Sequence, residues 1–249
     1  GGSGSLALAV HHPDLIAAAN AFLQRTVIYW EGAYARNSQR MFGSVEMNVP
    51  MPNGESIWEH MDIASYLRRN PDREYPPIRL YNGRKDTTVK WTSHPDMYRA
   101  AQEAGLYVVV HWDEGDHNSR DPLAEFPERV GDRYFNRDQA LPYFNIFQFR
   151  RDLSYPIFTE FSLDDDPGNG DPTDGVLRGG INRFVRWDLE TLEDTPTRWA
   201  TTLFLYDFAP EDEATVTVTP ARVQSLVLDA GARYRWRVER VEDGTALQS

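Results

Sequence analysis

A serine between glycines opens the chain, Gly1-Gly2-Ser3-Gly4-Ser5, and the small-residue apolar stretch 6–19 follows directly. A glycine-bearing turn that runs into a helix is one way a protein presents a nucleophilic hydroxyl. Glycines on both sides tolerate a strained backbone and leave the hydroxyl unshielded. The helix behind it aims free N–H groups at negative charge forming there. The same five residues also read as a flexible Gly/Ser linker. Two later stretches supply the other residue types that hydroxyl activation needs. Asp86 ends Asn82-Gly83-Arg84-Lys85-Asp86, after the apolar run 78–82, and His117 ends Asp113-Glu114-Gly115-Asp116-His117, after the run 106–112. Strands of an open parallel sheet gather active-site loops at their C-terminal ends, and both loops are expected there. The order Ser3, Asp86, His117 is the one associated with a nucleophile elbow.

Each residue has a plainer reading. Asp86 also suits an ordinary turn. Asp113 and Asp116 compete for the role of acid, although their adjacency to His117 suits them better to shaping its loop. His111 falls inside a strand pattern and reads as structural. His11, His12, His60 and His94 lack matching partners, and His94-Pro95-Asp96 reads as a helix start.

Strand-like and helix-like patterns alternate over the first half. Strands are expected at 26–30, 78–82 and 106–112, and helices at 6–19, 56–69 and 97–104, the last stopped by Gly105. That alternation specifies an α/β layer. Prolines break the chain repeatedly across 118–155. Beyond them short strands are expected at 158–163, 181–189, 198–206, 214–219, 223–228 and 233–241, a spacing that suits a β-sandwich. The expected division is an α/β domain over 1–130 and a β-sandwich-like domain over 140–249.

Within the second half, residues 164–175 carry Asp164, Asp166, Asp171 and Asp174 among prolines and glycines. Hard oxygen ligands on a turn-rich loop suit Ca²⁺, with Asp164, Asp166 and Asp171 as candidate ligands. The spacing departs from an EF-hand, because Gly168 falls where an acid is needed, and the same residues make ordinary solvated turns. Tyr143, Phe144, Phe147, Phe149, Trp187, Trp199 and Trp236 have faces that stack on sugar rings, but at strand spacing they read first as core. Trp30, Trp58 and Trp91 are candidates for lining a substrate pocket.

The first 125 residues, through GGSGSLALAVHHPDL, PPIRLYNGRKDTTV and YVVVHWDEGDH, resemble the C-terminal half of an α/β-hydrolase domain. The second and third pieces look like the prolyl-oligopeptidase-type and related esterase branches. The resemblance implies a serine hydrolase with Ser3 as nucleophile, His117 as general base and Asp86 as the residue orienting the imidazole. It implies the Gly4 N–H as an oxyanion donor and no cofactor. The chain departs from the family pattern at Ser5, where the elbow has its last glycine. The strands that precede the elbow in the family, and the loop donating a second oxyanion N–H, are also absent from this sequence. A truncated, nearly inactive hydrolase is therefore the expectation. The alternative is a non-catalytic protein, such as a carbohydrate-binding one, built on a degenerate hydrolase half.

Composition narrows the partners. A net charge of −12 opposes a general nucleic-acid or anionic-membrane surface. No apolar run approaches the ~20 residues that cross a bilayer. The absence of cysteine removes disulfides and thiolate metal sites. A small-molecule ester or a peptide is the expected substrate. Localisation is open on these residues, the extracytoplasmic side being favoured over the cytoplasm.

Overall fold

The computed structural model describes residues 1–27, 35–117, 148–207, 209–229 and 231–248. In chain order the first half contains α1 (Gly2–His11), β1 (Ala19–Phe22), α2 (Ala35–Phe42), α3 (Ile57–Met61), α4 (Ile63–Arg69), β2 (Ile78–Gly83), α5 (His94–Glu103) and β3 (Val108–Asp113). The second half contains β4 (Tyr155–Thr159), β5 (Gly179–Ile181), β6 (Val185–Thr195), β7 (Arg198–Leu205), β8 (Thr217–Ala221), β9 (Val238–Glu239) and β10 (Ala246–Gln248). The main sheet has the order β1-β2-β3-β5. Its first three strands are parallel, and β5 closes the row antiparallel to β3. The remaining strands form the antiparallel pairs β4–β8, β6–β7 and β9–β10.

The expectation of α/β content holds. Strands β2 and β3 are buried at every position, and the apolar run Val108–Val110 of β3 reflects burial on both faces. Side chains alternate between the two faces. Ile78, Leu80, Val108, Val110 and Trp112 share one core with Leu6 and Val10 of α1, Leu67 of α4 and Met97 of α5. Val109, with Tyr107 just ahead of β3, points the other way into a second core with Phe149, Tyr155, Phe158, Phe184 and Trp187. The Asn182 side-chain amide spans both halves, donating to the Val108 carbonyl at 2.9 Å and the Phe158 carbonyl at 3.0 Å. Side chains from before and after residue 140 therefore share this second core. The second half, expected as a sandwich, consists of strand pairs plus β5, which joins the first half's sheet.

Local departures have local causes. The first helix stops at His11 because Pro13 restricts His12, whose φ of −128° has already left the helix. The helix expected over 6–19 overruns into Ala19, yet residues 19–22 pair in register with Ile78–Tyr81, so tertiary pairing sets the strand. The single helix expected over 56–69 is two, because Asp62 ends α3 and caps α4, accepting the Ser65 N–H at 3.1 Å. The strand expected at 26–30 is not present at 26–27, and its remainder lies outside the described residues. Residues 223–228 form no strand, and of 233–241 only β9 does. Among the described residues no helix is long and apolar enough to cross a membrane.

Phe158 is fully buried on the far face of the sheet from the helices. Phe158→Ala should cost about 3–5 kcal/mol. Because the second core includes Tyr107 and Val109, calorimetry should show the whole transition moving down together. A first-half transition left at its original temperature would mean that the halves unfold separately.

Candidate active site

Backbone contact at the end of β1 fixes where Ser3 lies. Gly2 sits against the Phe22 carbonyl so closely that a Cβ there would stand 2.1 Å from its oxygen. The start of α1 is thereby held at the C-terminal end of β1, the edge at which β2 and β3 also end. The Ser3 hydroxyl accepts the Arg25 N–H at 2.8 Å, from the chain leaving β1. Ser3 is thus in the first turn of the helix itself, one step later than a turn ahead of it. The first backbone hydrogen bond of α1 is Ser5 N–H to the Gly1 carbonyl, 3.2 Å. The N–H groups of Gly2, Ser3 and Gly4 precede it and have no partner within the helix.

The other two residues come from adjacent strands. Gly83 and Asp113 are partners in the parallel register of β2 and β3. A Cβ on Gly83 would stand 2.3 Å from the Gly115 carbonyl oxygen, so only glycine permits the two loops to meet. Arg84 N–H donates to the Asp113 carbonyl at 2.8 Å and Lys85 N–H to the Gly115 carbonyl at 3.0 Å. Out of this pairing emerges the contact between Asp86 and His117, Oδ2 to Nδ1, 2.8 Å. The other Asp86 oxygen accepts the Thr88 N–H at 2.7 Å and the Val89 N–H at 2.8 Å. Asp86's side chain is 1% exposed and that of His117 is 35% exposed. A carboxylate only accepts hydrogen bonds, so the contact assigns the proton to Nδ1 and leaves Nε2 as the basic nitrogen. Ser3 and His117 bond different partners, and no Ser3–His117 hydrogen bond is present among the described residues.

The competing acid is committed elsewhere. Asp113 is buried, takes the Tyr81 hydroxyl on its carboxylate at 2.9 Å and accepts the Gly115 N–H at 2.7 Å. It shapes the histidine loop, as its adjacency suggested. Among the other histidines, His11 stacks on His60 with ring centroids 4.3 Å apart, and burial lowers its pKa to about 4. His94 is fully buried against Trp91 and bonds the Gln24 carbonyl at 3.0 Å.

Behind Ser3 lies a buried polar group that no spacing revealed. Gln24 donates to Asn82 Oδ1 at 2.6 Å, and the Tyr98 hydroxyl donates to the same oxygen at 2.9 Å. This ties the segment holding Ser3 to the end of β2, four residues before Asp86. Only Asn82 carried any signal, through its place beside Gly83 at a strand end.

Each candidate calcium ligand of the acidic loop accepts hydrogen bonds from within the protein. Asp164 accepts the Asn182 N–H at 2.6 Å and the Gln102 amide at 3.1 Å. Asp166 accepts the Gly168 N–H at 2.9 Å, and Asp171 accepts the Thr173 N–H at 2.8 Å. These carboxylates face N–H groups instead of a common centre, and no cluster of three or more metal-ligating side chains occurs among the described residues. Of the aromatic candidates, Phe149 and Trp187 are core, Trp199 is half-buried with its N–H on Ser154 Oγ at 3.0 Å, and Trp236 is exposed. Trp58 and Trp91 are buried, whereas Trp30, Tyr143, Phe144 and Phe147 lie outside the described residues. No protein-family model matches the chain, and no curated protein matches it.

Two variants test this geometry. Gly83→Ala should push the Gly115 carbonyl away, carry His117 off Asp86 and lower the melting temperature. An unchanged melting temperature would contradict the close approach. Burial raises the Asp164 pKa to about 7, against an ordinary value of 3.8. Folding therefore favours the protonated form, and this group's stabilising contribution is lost as pH rises from the unfolded value through the folded one. Asp164→Asn should accordingly gain stability relative to wild type on going from about pH 4 to about pH 8, read from paired urea titrations. A difference that shrinks or reverses with pH would contradict the burial assigned to Asp164.

Proposed function

We propose that this protein is a serine hydrolase that cleaves an ester or amide bond through an acyl-enzyme on Ser3. The observation that carries the reading is the 2.8 Å Asp86–His117 contact at the same sheet edge as the start of α1. Asp86 holds the imidazole with Nδ1 protonated, so that Nε2 can take the Ser3 proton as Oγ attacks the carbonyl carbon. The protonated imidazole next returns that proton to the leaving group, and the same base activates water to release the acid. Arg25's N–H donates to Ser3 Oγ, which uses a lone pair and leaves the hydroxyl proton free to be taken. That transfer requires Ser3 Oγ to come within hydrogen-bonding reach of Nε2. The Gly4 N–H, ahead of the first helical hydrogen bond and at the positive end of α1, serves in this reading as the oxyanion donor. The buried Asp86 carboxylate stabilises the imidazolium formed in each half-reaction.

The expected substrate is a small ester or a peptide. Treating the native protein with a fluorophosphonate and mapping the adduct by mass spectrometry should find it on Ser3. Ser3→Ala should abolish labelling and lower kcat/KM by about 10⁴–10⁶-fold, because triad members act as a unit. Labelling of another serine, or full turnover by Ser3→Ala, would remove the assignment.

A further inference from the structure

The acidic loop lies outside the hydrolytic reading, yet it grips both loops that carry Asp86 and His117. Arg84 precedes Asp86 by two residues, and it is only 1% exposed. Its Nε donates to the Pro172 carbonyl at 3.0 Å and its Nη1 to the Val176 carbonyl at 2.9 Å. Nη2 donates to the Asp171 carbonyl at 3.1 Å and also to the Asp174 carbonyl. The guanidinium carbon stands 4.8 Å from the centroid of the Trp91 ring. Four carbonyl oxygens thus converge on one cation within the loop whose composition suggested Ca²⁺. A planar fork of N–H donors satisfies several such acceptors at once, which a spherical ammonium does not.

The same segment also reaches the histidine loop. Val176's carbonyl, besides holding Arg84, accepts the Trp112 indole N–H at 2.7 Å. Arg178 pairs with Glu114, which also pairs with Lys85 at 2.9 Å. Residues 171–178 therefore span the ends of β2 and β3 from outside, and the Arg84 guanidinium is the point on which their carbonyls close.

We propose that Arg84 is a positioning residue for the Asp86–His117 pair, its guanidinium being the internal cation that folds residues 171–176 into a clamp across the two strand ends. The kinetic consequence rests on the hydrolase reading; the clamp does not. Without the guanidinium, the Pro172 and Asp174 carbonyls lose this donor, those of Asp171 and Val176 keep the Asp174 and Trp112 N–H groups, and the turn leading to Asp86 loses its anchor.

Arg84→Lys and Arg84→Ala, with melting temperature and p-nitrophenyl acetate hydrolysis measured, test this. Arg84→Lys should stay folded by far-UV circular dichroism, with kcat down about 10–100-fold and KM changed by less than about threefold. In Arg84→Ala, millimolar guanidinium should raise both the melting temperature and kcat, whereas methylammonium and Ca²⁺ should not. Wild-type kcat in Arg84→Lys, a loss carried by KM, no response of Arg84→Ala to guanidinium, or replacement of guanidinium by Ca²⁺ would each overturn the proposal. If Arg84→Ala does not fold, Arg84→Lys decides. Fluorophosphonate labelling of wild-type Ser3 is the control: its absence removes the hydrolase reading and leaves the clamp to be judged on melting alone.

Discussion

Burying the Asp86 carboxylate is the constraint around which this edge of the molecule is organised. A charge removed from water demands donors, and an unpaired one is strongly destabilising. Two donors, the Thr88 and Val89 N–H groups, come from the acid's own loop, and the third is His117. Reaching that third donor requires the ends of β2 and β3 to touch, which the backbone allows only because Gly83 has no side chain facing the Gly115 carbonyl. That approach in turn depends on a parallel register in which Gly83 stands beside Asp113. The two apolar cores on either side of the sheet hold the register. A short polar contact at the surface is thus the end of a chain of constraints that begins in the valine run of β3.

The second face of the sheet changes how the protein divides. Tyr107 and Val109 enter the same core as Phe158 and Trp187, and β5 extends the main sheet antiparallel to β3. The loop leading into β5 passes over the ends of β2 and β3, where Arg84 gathers its carbonyls. The second half therefore contributes to the candidate site as a buttress and not as a separate attachment.

Legibility in the sequence followed the range of the interactions. Strands β2 and β3 and helix α5 were readable because β-branched and aromatic residues cluster in the two strands and because Gly105 marks the stop after the helix. The Asp86–His117 pairing was readable as a chain order with glycines at two strand ends. Strand β1 was not, since Ala19-Asn20-Ala21-Phe22 carries no β-branched residue and becomes a strand by pairing with β2. Gly179-Gly180-Ile181 carries no strand pattern at all, and its role comes from docking on β3. The contacts of the acidic loop were hidden for a related reason. Its oxygens do surround a cation, but that cation is a side chain about ninety residues earlier, at a distance no local spacing reports.

The central claim is that Asp86 holds His117 as the base for Ser3. Nitrogen-15 NMR of the His117 ring tests it most directly, recorded at neutral pH before and after phosphonylation of the native protein. The account predicts a single tautomer with the proton on Nδ1, lost in Asp86→Asn. It also predicts that the His117 ring resonances shift once Ser3 is phosphonylated. Rapidly exchanging tautomers unaffected by Asp86→Asn, or a His117 resonance indifferent to modification of Ser3, would contradict it.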